Sequence, residues 1–210
     1  MKIQADKLGK KFNRDWIFRN LTTEFSPGIY AVTGPNGSGK STLLQVLWGQ
    51  MPATSGTVSY TNEKGEVPIT EIYRHISIAA PYMDLIEEFT LLEMVRFHFK
   101  FKVARNGHSP TEVLELLQLE HAQNKPLAKF SSGMKQRTKL GLALWSQAEI
   151  VFLDEPGTNL DKPSHEWYWS QLNAIPPETI VIIASNQENE YPADCKKVCI
   201  TDYKQVTKRD

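Results

Sequence analysis

The chain has only two cysteines, no net charge and no long hydrophobic run, and each shortage excludes a class of protein. Cys195 and Cys199 stand four apart without histidines at ligand spacing, which fits neither a disulfide framework nor a zinc site and reads as reduced cytosolic thiols. His98, His108, His121 and His165 are scattered through helical or loop sequence and read as satisfied surface histidines. Lysine plus arginine equals aspartate plus glutamate at 24 each, so no long-range field gathers nucleic acid, and none is expected as a partner. Apolar stretches such as 142–145 and 179–184 fall far short of the ~20 residues that span a bilayer, and the opening MKIQADK lacks the apolar core of a signal peptide. Any membrane role therefore requires a partner chain. What is present suffices for one globular domain over 1–210 with a subdomain: 40% hydrophobic and 23% charged residues.

Short β-rich runs alternate with helical patterns, which predicts an α/β fold. GIYAVT (28–33) precedes a helix over 40–48, and TVSY (57–60) follows a Pro/Thr/Ser/Gly turn. The middle changes character. TLLE (90–93) has capping-box spacing and opens an amphipathic run through Phe101. Ser109, Pro110 and Glu112 supply an N-cap, a first-turn proline and an acid for a second helix. A third helix follows Ser131 and runs to about Trp145, so a helical subdomain interrupts the α/β part. IVFLDEP (150–156) and TIVIIAS (179–185) return to buried-strand composition, separated by a helical stretch at 167–172. The aromatics of EWYWSQL (166–172) read as helix packing rather than a ligand box, and the closing KQVTKRD as a solvated tail.

GPNGSGKST spans Gly34, Pro35, Asn36, Gly37, Ser38, Gly39, Lys40, Ser41 and Thr42, with a strand before it and a helix after it. Glycines at this spacing let backbone N–H groups turn toward a polyphosphate at a helix N-terminus, where the macrodipole also favours anions. Lys40 is placed to neutralise the outer phosphate oxygens and the Ser41 hydroxyl to ligate Mg²⁺. The LDE that ends an apolar strand puts Asp154 and Glu155 at the carboxyl edge of a sheet, where α/β folds bind ligands. Asp154 suits the Mg²⁺ shell and Glu155 suits orientation of an attacking water. FSSGMKQR (130–137) begins on N-cap serines and carries Lys135 and Arg137 in its first turns, an unusually positive helix start.

With these motifs the chain resembles an ATP-binding-cassette (ABC) ATPase, the nucleotide-binding subunit of ABC transporters, over nearly its whole length. GPNGSGKST matches the family's Walker A loop, IVFLDEP its Walker B strand, FSSGMKQR its signature and TNLD (158–161) its D-loop. The resemblance implies a P-loop NTPase core, mainly a parallel sheet flanked by helices, with an antiparallel β layer and a helical subdomain inserted at about 83–145. It implies ATP and Mg²⁺ as cofactors. It also implies a head-to-tail dimer, homomeric or with a paired ABC ATPase subunit. In that dimer Ser131, Ser132, Gly133 and Met134 of one subunit face the ATP held by Lys40 of the other, and Asp161 lies at the interface. Separate transmembrane permease subunits, and a cytoplasmic place on the inner face of the membrane through them, follow from the same likeness. Phe12 stands where the family's adenine-stacking aromatic usually falls, with Trp16 in reserve.

The family pattern breaks in two places. There is no Gln between Gln50 and Gln118, so the usual amide before the helical subdomain is replaced near Pro81 or Tyr82, with Tyr82 or Asp84 as substitutes. Asn186 stands where the family usually has a His that contacts the γ-phosphate; an amide donates a hydrogen bond but carries no proton and no charge. With Glu155 and Asn186 as the catalytic residues, the expectation is intact ATP binding and hydrolysis that is slow, altered in its pH dependence or partly supported by Glu155 alone. The leading function is an ATPase that powers export; a nucleotide-dependent binding switch with weak hydrolysis and a non-transport ABC ATPase are the alternatives.

Overall fold

A computed structural model describes residues 1–204. The tail read from KQVTKRD lies, but for Lys204, outside the described residues. In chain order the strands and α-helices are β1 (Lys2–Phe12), β2 (Asp15–Phe25), β3 (Gly28–Thr33), α1 (Lys40–Leu47), β4 (Ser55–Asn62), β5 (Gly65–Val67) and β6 (Ile76–Ala79). There follow α2 (Leu91–His98), α3 (Pro110–Leu116), α4 (Ser132–Leu144), β7 (Ile150–Asp154), α5 (Lys162–Asn173), β8 (Ile180–Ala184) and β9 (Lys196–Cys199).

Two sheets result. β6, β7, β8, β3 and β9 lie side by side in that order, all parallel, while β2, β1, β4 and β5 form an antiparallel sheet. The central parallel strands are apolar on both faces, and their period of two divides the core. Ile150 and Phe152 of β7, Ile180 and Ile182 of β8, and Val32 of β3 join α1 and the antiparallel sheet in one buried cluster. Val151, Leu153, Val181, Ile183 and Ala31 point the other way, into a second cluster with α2, α3, α4 and α5. Each fully buried aliphatic side chain here contributes about 1.5–3 kcal/mol. The parallel sheet is thus held from both sides, and the loops at its carboxyl edge start from rigid strands.

The helices begin where their caps dictate. Thr90 and Glu93, and Ser109 and Glu112, exchange the reciprocal bonds of a capping box at α2 and α3, and Pro110 opens α3. β1 and β2 were not legible from composition. Their charges interrupt the apolar alternation, and Lys7, at φ 46°, breaks the register between Ala5 and Leu8, yet Ile3, Ala5, Leu8, Phe18 and Leu21 are all fully buried. The aromatic run on α5 packs as expected. Trp167 donates to the Leu116 carbonyl at 2.8 Å, Tyr168 to the Glu190 carbonyl at 2.8 Å and Trp169 to the Asn189 carbonyl at 3.1 Å. His98 departs from the surface expectation: it bonds Ser146 at 2.8 Å, and burial, aided by the nearby Lys102 charge, pushes its imidazole down to about 4.

Candidate functional site

Four helices are capped by a side chain of their own: Thr90, Ser109, Ser131 and Asp161 each accept from a first-turn N–H. α1 is not. Gly39, with φ 107°, precedes it, no side chain caps it and its first turn holds no acid. Its unpaired N–H groups and the positive end of its dipole therefore face the 34–39 loop, ready for an anion to serve as the cap. Gly39 is also required by a close approach, since a Cβ there would lie 2.2 Å from Cγ2 of Ile17 on β2. Lys40 is 4% exposed and its Nζ donates to the carbonyls of Gly34 at 3.0 Å and Pro35 at 3.3 Å, which folds the ammonium over the loop.

Ser41 Oγ donates to Asp154 Oδ1 at 3.0 Å, joining the start of α1 to the end of β7. Asp154 is buried and its Oδ2 has no partner. Burial, with the neighbouring Glu155 charge, pushes its carboxyl up to about 6, against the opposing pull of the Ser41 hydroxyl and Lys40. A buried orphan carboxylate oxygen beside a hydroxyl is a donor set for a small hard cation that takes one or two protein ligands and keeps waters. These residues fit Mg²⁺, with Ser41 and Asp154 to hold it.

Glu155 follows in the left-handed region at φ 47°, an uncommon conformation for this residue, held by its N–H donating to the Ala184 carbonyl at 2.8 Å. The β7 terminus is thereby fastened to the end of β8, two residues before Asn186, which is exposed. Tyr82, in place of the missing Gln, reaches the same edge. Burial pushes its phenol up to about 12, the Gln45 side chain of α1 pulls it back, and the Asp154 charge adds to the rise. Phe12 is 45% exposed with Lys10 Nζ 5.2 Å from its ring centroid, so it is not packed inside a β layer; Trp16 is half-buried beneath Arg19 at 4.8 Å.

The second sequence motif lies elsewhere on the surface. Ser131 caps α4 by accepting from Met134 N at 3.2 Å. Ser131, Ser132, Gly133 and Met134 line a 410 Å³ cavity with Asn159, Asp161, Ser164 and Arg137, and none of residues 34–42 borders it. The positive helix start expected from Lys135 and Arg137 is largely spent within the chain. Lys135 pairs with Glu87, and Arg137 donates to Ser164 Oγ at 2.7 Å while lying 5.2 Å from the centroid of Trp167. Asp161 caps α5 through Ser164 N at 3.0 Å; that hydrogen bonding, with the Arg137 charge, holds its carboxyl below the ordinary range. Gln136, buried, donates to the Pro156 carbonyl at 3.0 Å and so ties the signature helix to the loop after Glu155. Gln136, Gln45 and Glu190 were missed from sequence: nothing in one chain marks which amide or acid on a helix or turn faces inward.

A family model described as ABC transporter matches residues 18–158, well over half of the chain. The chain is 29% identical over 160 residues to an uncharacterised ABC transporter ATP-binding protein, YcbN, of Bacillus subtilis, covering 76% of this chain and 52% of that one. It is 24% identical to a Nod factor export ATP-binding protein I of Cupriavidus metallidurans, covering 95% of this chain and 68% of that one. A sulfate/thiosulfate import ATP-binding protein of Nitrosomonas europaea is 31% identical, over 77% of this chain and 46% of that one. The chain thus spans from about half to two-thirds of the length of these relatives. Its fold is that of an ABC transporter ATP-binding protein from Pyrococcus furiosus, with TM-score 0.82 at 22% identity, covering 98% of this chain and 100% of that one. A helix that begins without its own cap, a Ser41–Asp154 hydrogen bond joining it to β7 and a matched family model lead to one conclusion: this chain belongs to the ABC transporter family, as an ATP-binding subunit.

Proposed function

We propose that the chain hydrolyses Mg²⁺-ATP between two copies of itself and so powers export through separate transmembrane subunits, from the cytoplasmic face of the membrane. The observation that carries this is the separation of the uncapped start of α1 from the start of α4. Residues 34–42 gather at α1, whereas Ser131–Met134 open onto a cavity that none of them borders. One triphosphate meets both only if a second copy brings its α4 to the first copy's α1. The binding residues are Phe12 against the adenine and Gly34–Thr42 around the phosphates, with Ser41 and Asp154 on Mg²⁺. Mg²⁺, when held there by Ser41 and Asp154, would supply charge neutralisation to the phosphates. Glu155 orients the attacking water and accepts its proton, and Asn186 donates a hydrogen bond toward the γ-phosphate.

Coupling is supported by a groove of 1610 Å³ between the helical part and the β6 edge, bordered by Tyr73, Met83, Phe101 and Val103. These side chains are 56%, 40%, 74% and 65% exposed, so the groove offers apolar surface to a partner. No helix among the described residues is long and apolar enough to cross a membrane; in this proposal a loop of a separate transmembrane subunit docks in the groove. Export is proposed on the form of the signature; the relatives named above include both directions.

The exposed Asn186, without a titrating ring, supports a second reading: a switch in which ATP closes the dimer and hydrolysis is slow. Phosphate release from the purified protein with Mg²⁺-ATP tests both. Sustained release, lost in Lys40→Ala and Glu155→Gln, supports the ATPase. A nucleotide-bound dimer that persists without phosphate release supports the switch, and no nucleotide binding at all overturns both.

A further inference from the structure

Glu190 is the one acid near the proposed hydrolytic centre to which no role has been given. It lies in the turn after β8, its side chain is 1% exposed, and the donors nearest its carboxyl, the Ser185 hydroxyl and the Gly157 N–H, fall short of full hydrogen-bond geometry. Buried acids without partners are rare, because desolvating an unpaired carboxylate is costly, and their presence calls for a physical account. Its surroundings are defined. Ser185 and the Gly157 N–H act on it from one side, and the charges of Glu155 and Lys40 are felt there. Tyr168 on α5 and the adjoining Tyr191 feel its charge in turn. Burial, the largest influence, and the Glu155 charge raise its carboxyl above the ordinary range, against the pull of the Ser185 hydroxyl, the Gly157 N–H and Lys40.

Contact with the Glu155 turn is direct. At Gly157, two residues after Glu155, a Cβ would fall 2.3 Å from Glu190 Oε1, 2.9 Å from Cδ and 3.0 Å from Cγ, so the Glu190 side chain runs flat across the glycine. The same turn is held at one end by Glu155 N–H on the Ala184 carbonyl, and at its middle by Gln136 on the Pro156 carbonyl. Glu190 in turn is fixed from behind, because Tyr168 donates to its backbone carbonyl at 2.8 Å. The turn that follows the left-handed Glu155 is thus held by the Ala184 carbonyl, by Thr158 N–H on the Glu155 carbonyl, by Gln136 and by Glu190, the last from the turn that also carries Asn186.

We propose that Glu190 is a positioning residue for hydrolysis: its carboxyl, wedged against Gly157, sets the turn that aims the Glu155 carboxylate at the attacking water. The inference rests on the hydrolytic reading of Glu155 given above. Misplacement of a catalytic group by about 1 Å lowers a rate by up to ~100-fold without touching substrate binding. A side chain at Gly157 would displace the Glu190 carboxyl from its present place.

Three variants, Glu190→Gln, Glu190→Ala and Gly157→Ala, are compared with wild type for nucleotide affinity, kcat and KM. Glu190→Ala should lower kcat about tenfold or more while nucleotide affinity stays within about twofold, the split expected of an interaction used in the chemical step. Glu190→Gln keeps the shape of the wedge, so it should retain kcat within about threefold. Gly157→Ala should show the same kcat-selective loss, and the Gly157→Ala/Glu190→Ala double variant should be no worse than either single one, because both act through one contact. Equal losses in the Gln and Ala variants, additive losses in the double variant, or an unchanged kcat in Glu190→Ala each overturn the proposal. Should Glu190→Ala not fold, Glu190→Gln and Gly157→Ala decide it alone. An inactive wild type refutes the hydrolytic reading; an active wild type with a fully active Glu190→Ala refutes only the role of Glu190.

Discussion

Asp154→Asn should stabilise the metal-free protein while abolishing its response to Mg²⁺-nucleotide. The carboxyl is held at about 6 against an ordinary 3.8, chiefly by burial, so the folded protein keeps a proton that the unfolded chain has already lost. Between about pH 4 and about pH 6 the unfolded state binds fewer protons than the native one, so wild-type stability falls as pH rises through that window and stays lowered above it. At about 1.4 kcal/mol per pKa unit the difference is about 3 kcal/mol, and the side chain, 1% exposed, is little screened by solvent. Asn keeps an oxygen for the Ser41 hydroxyl and removes the charge, but puts a donor where Oδ2 has no partner, which offsets part of the gain. The net expectation is about 1–3 kcal/mol, or a rise of about 3–10 °C in Tm at about pH 8, with no difference near about pH 4. Thermal melts of both proteins across this pH range without metal provide the measurement. Mg²⁺-ATP should then raise the wild-type Tm by mass action and leave the variant almost unmoved. A variant that melts below wild type at the higher pH, or one with the wild-type pH slope, refutes the assignment of a buried metal-binding charge at this position.

Two further expectations concern the ends of the nucleotide. Phe12→Ala should weaken ATP binding by ~1–3 kcal/mol in an equilibrium titration, as loss of a base-stacking ring does, while Trp16→Ala, whose ring is already covered by Arg19, should change it less. The reverse order would move the adenine to Trp16. Asn186→His should raise steady-state turnover and give it a dependence on pH near about 6.5, because an imidazole titrates there and an amide does not. No change, or a fall, would show that Asn186 does not limit the chemistry.

The parts of this fold that were legible in the sequence are those with a local physical cause. The apolar runs of β7 and β8 are continuous because both faces of the parallel sheet are buried, and the caps at Thr90, Ser109 and Ser131 act within a single turn. The phosphate loop is legible for the same reason, since its glycines and Lys40 act on a backbone only a few residues long. β1 and β2 were hidden because a bulged, half-exposed antiparallel pair carries charges on one face and loses its alternation at Lys7. Lys135 and Arg137 were misleading: their partners, Glu87 and Ser164, are distant in sequence, and one chain read alone shows two free bases. Tyr82 and Glu190 belong to the same class, since their meaning lies in what α1, β7 and the Gly157 turn place beside them.

The central claim, one ATP between two copies, is tested most directly by mixing two variants that are each inactive. Lys40→Ala removes the phosphate lysine, and Gly133→Asp puts an acid at the start of α4, where a Cβ already comes within 3.0 Å of the Asn159 carbonyl. In a mixed dimer, the Lys40 of one copy faces the intact signature of the other at one of the two sites. With random pairing of equal amounts, phosphate release should recover to about a quarter of the wild-type rate. A mixture as inactive as its components would show that both motifs must lie in the same chain, and would contradict the account.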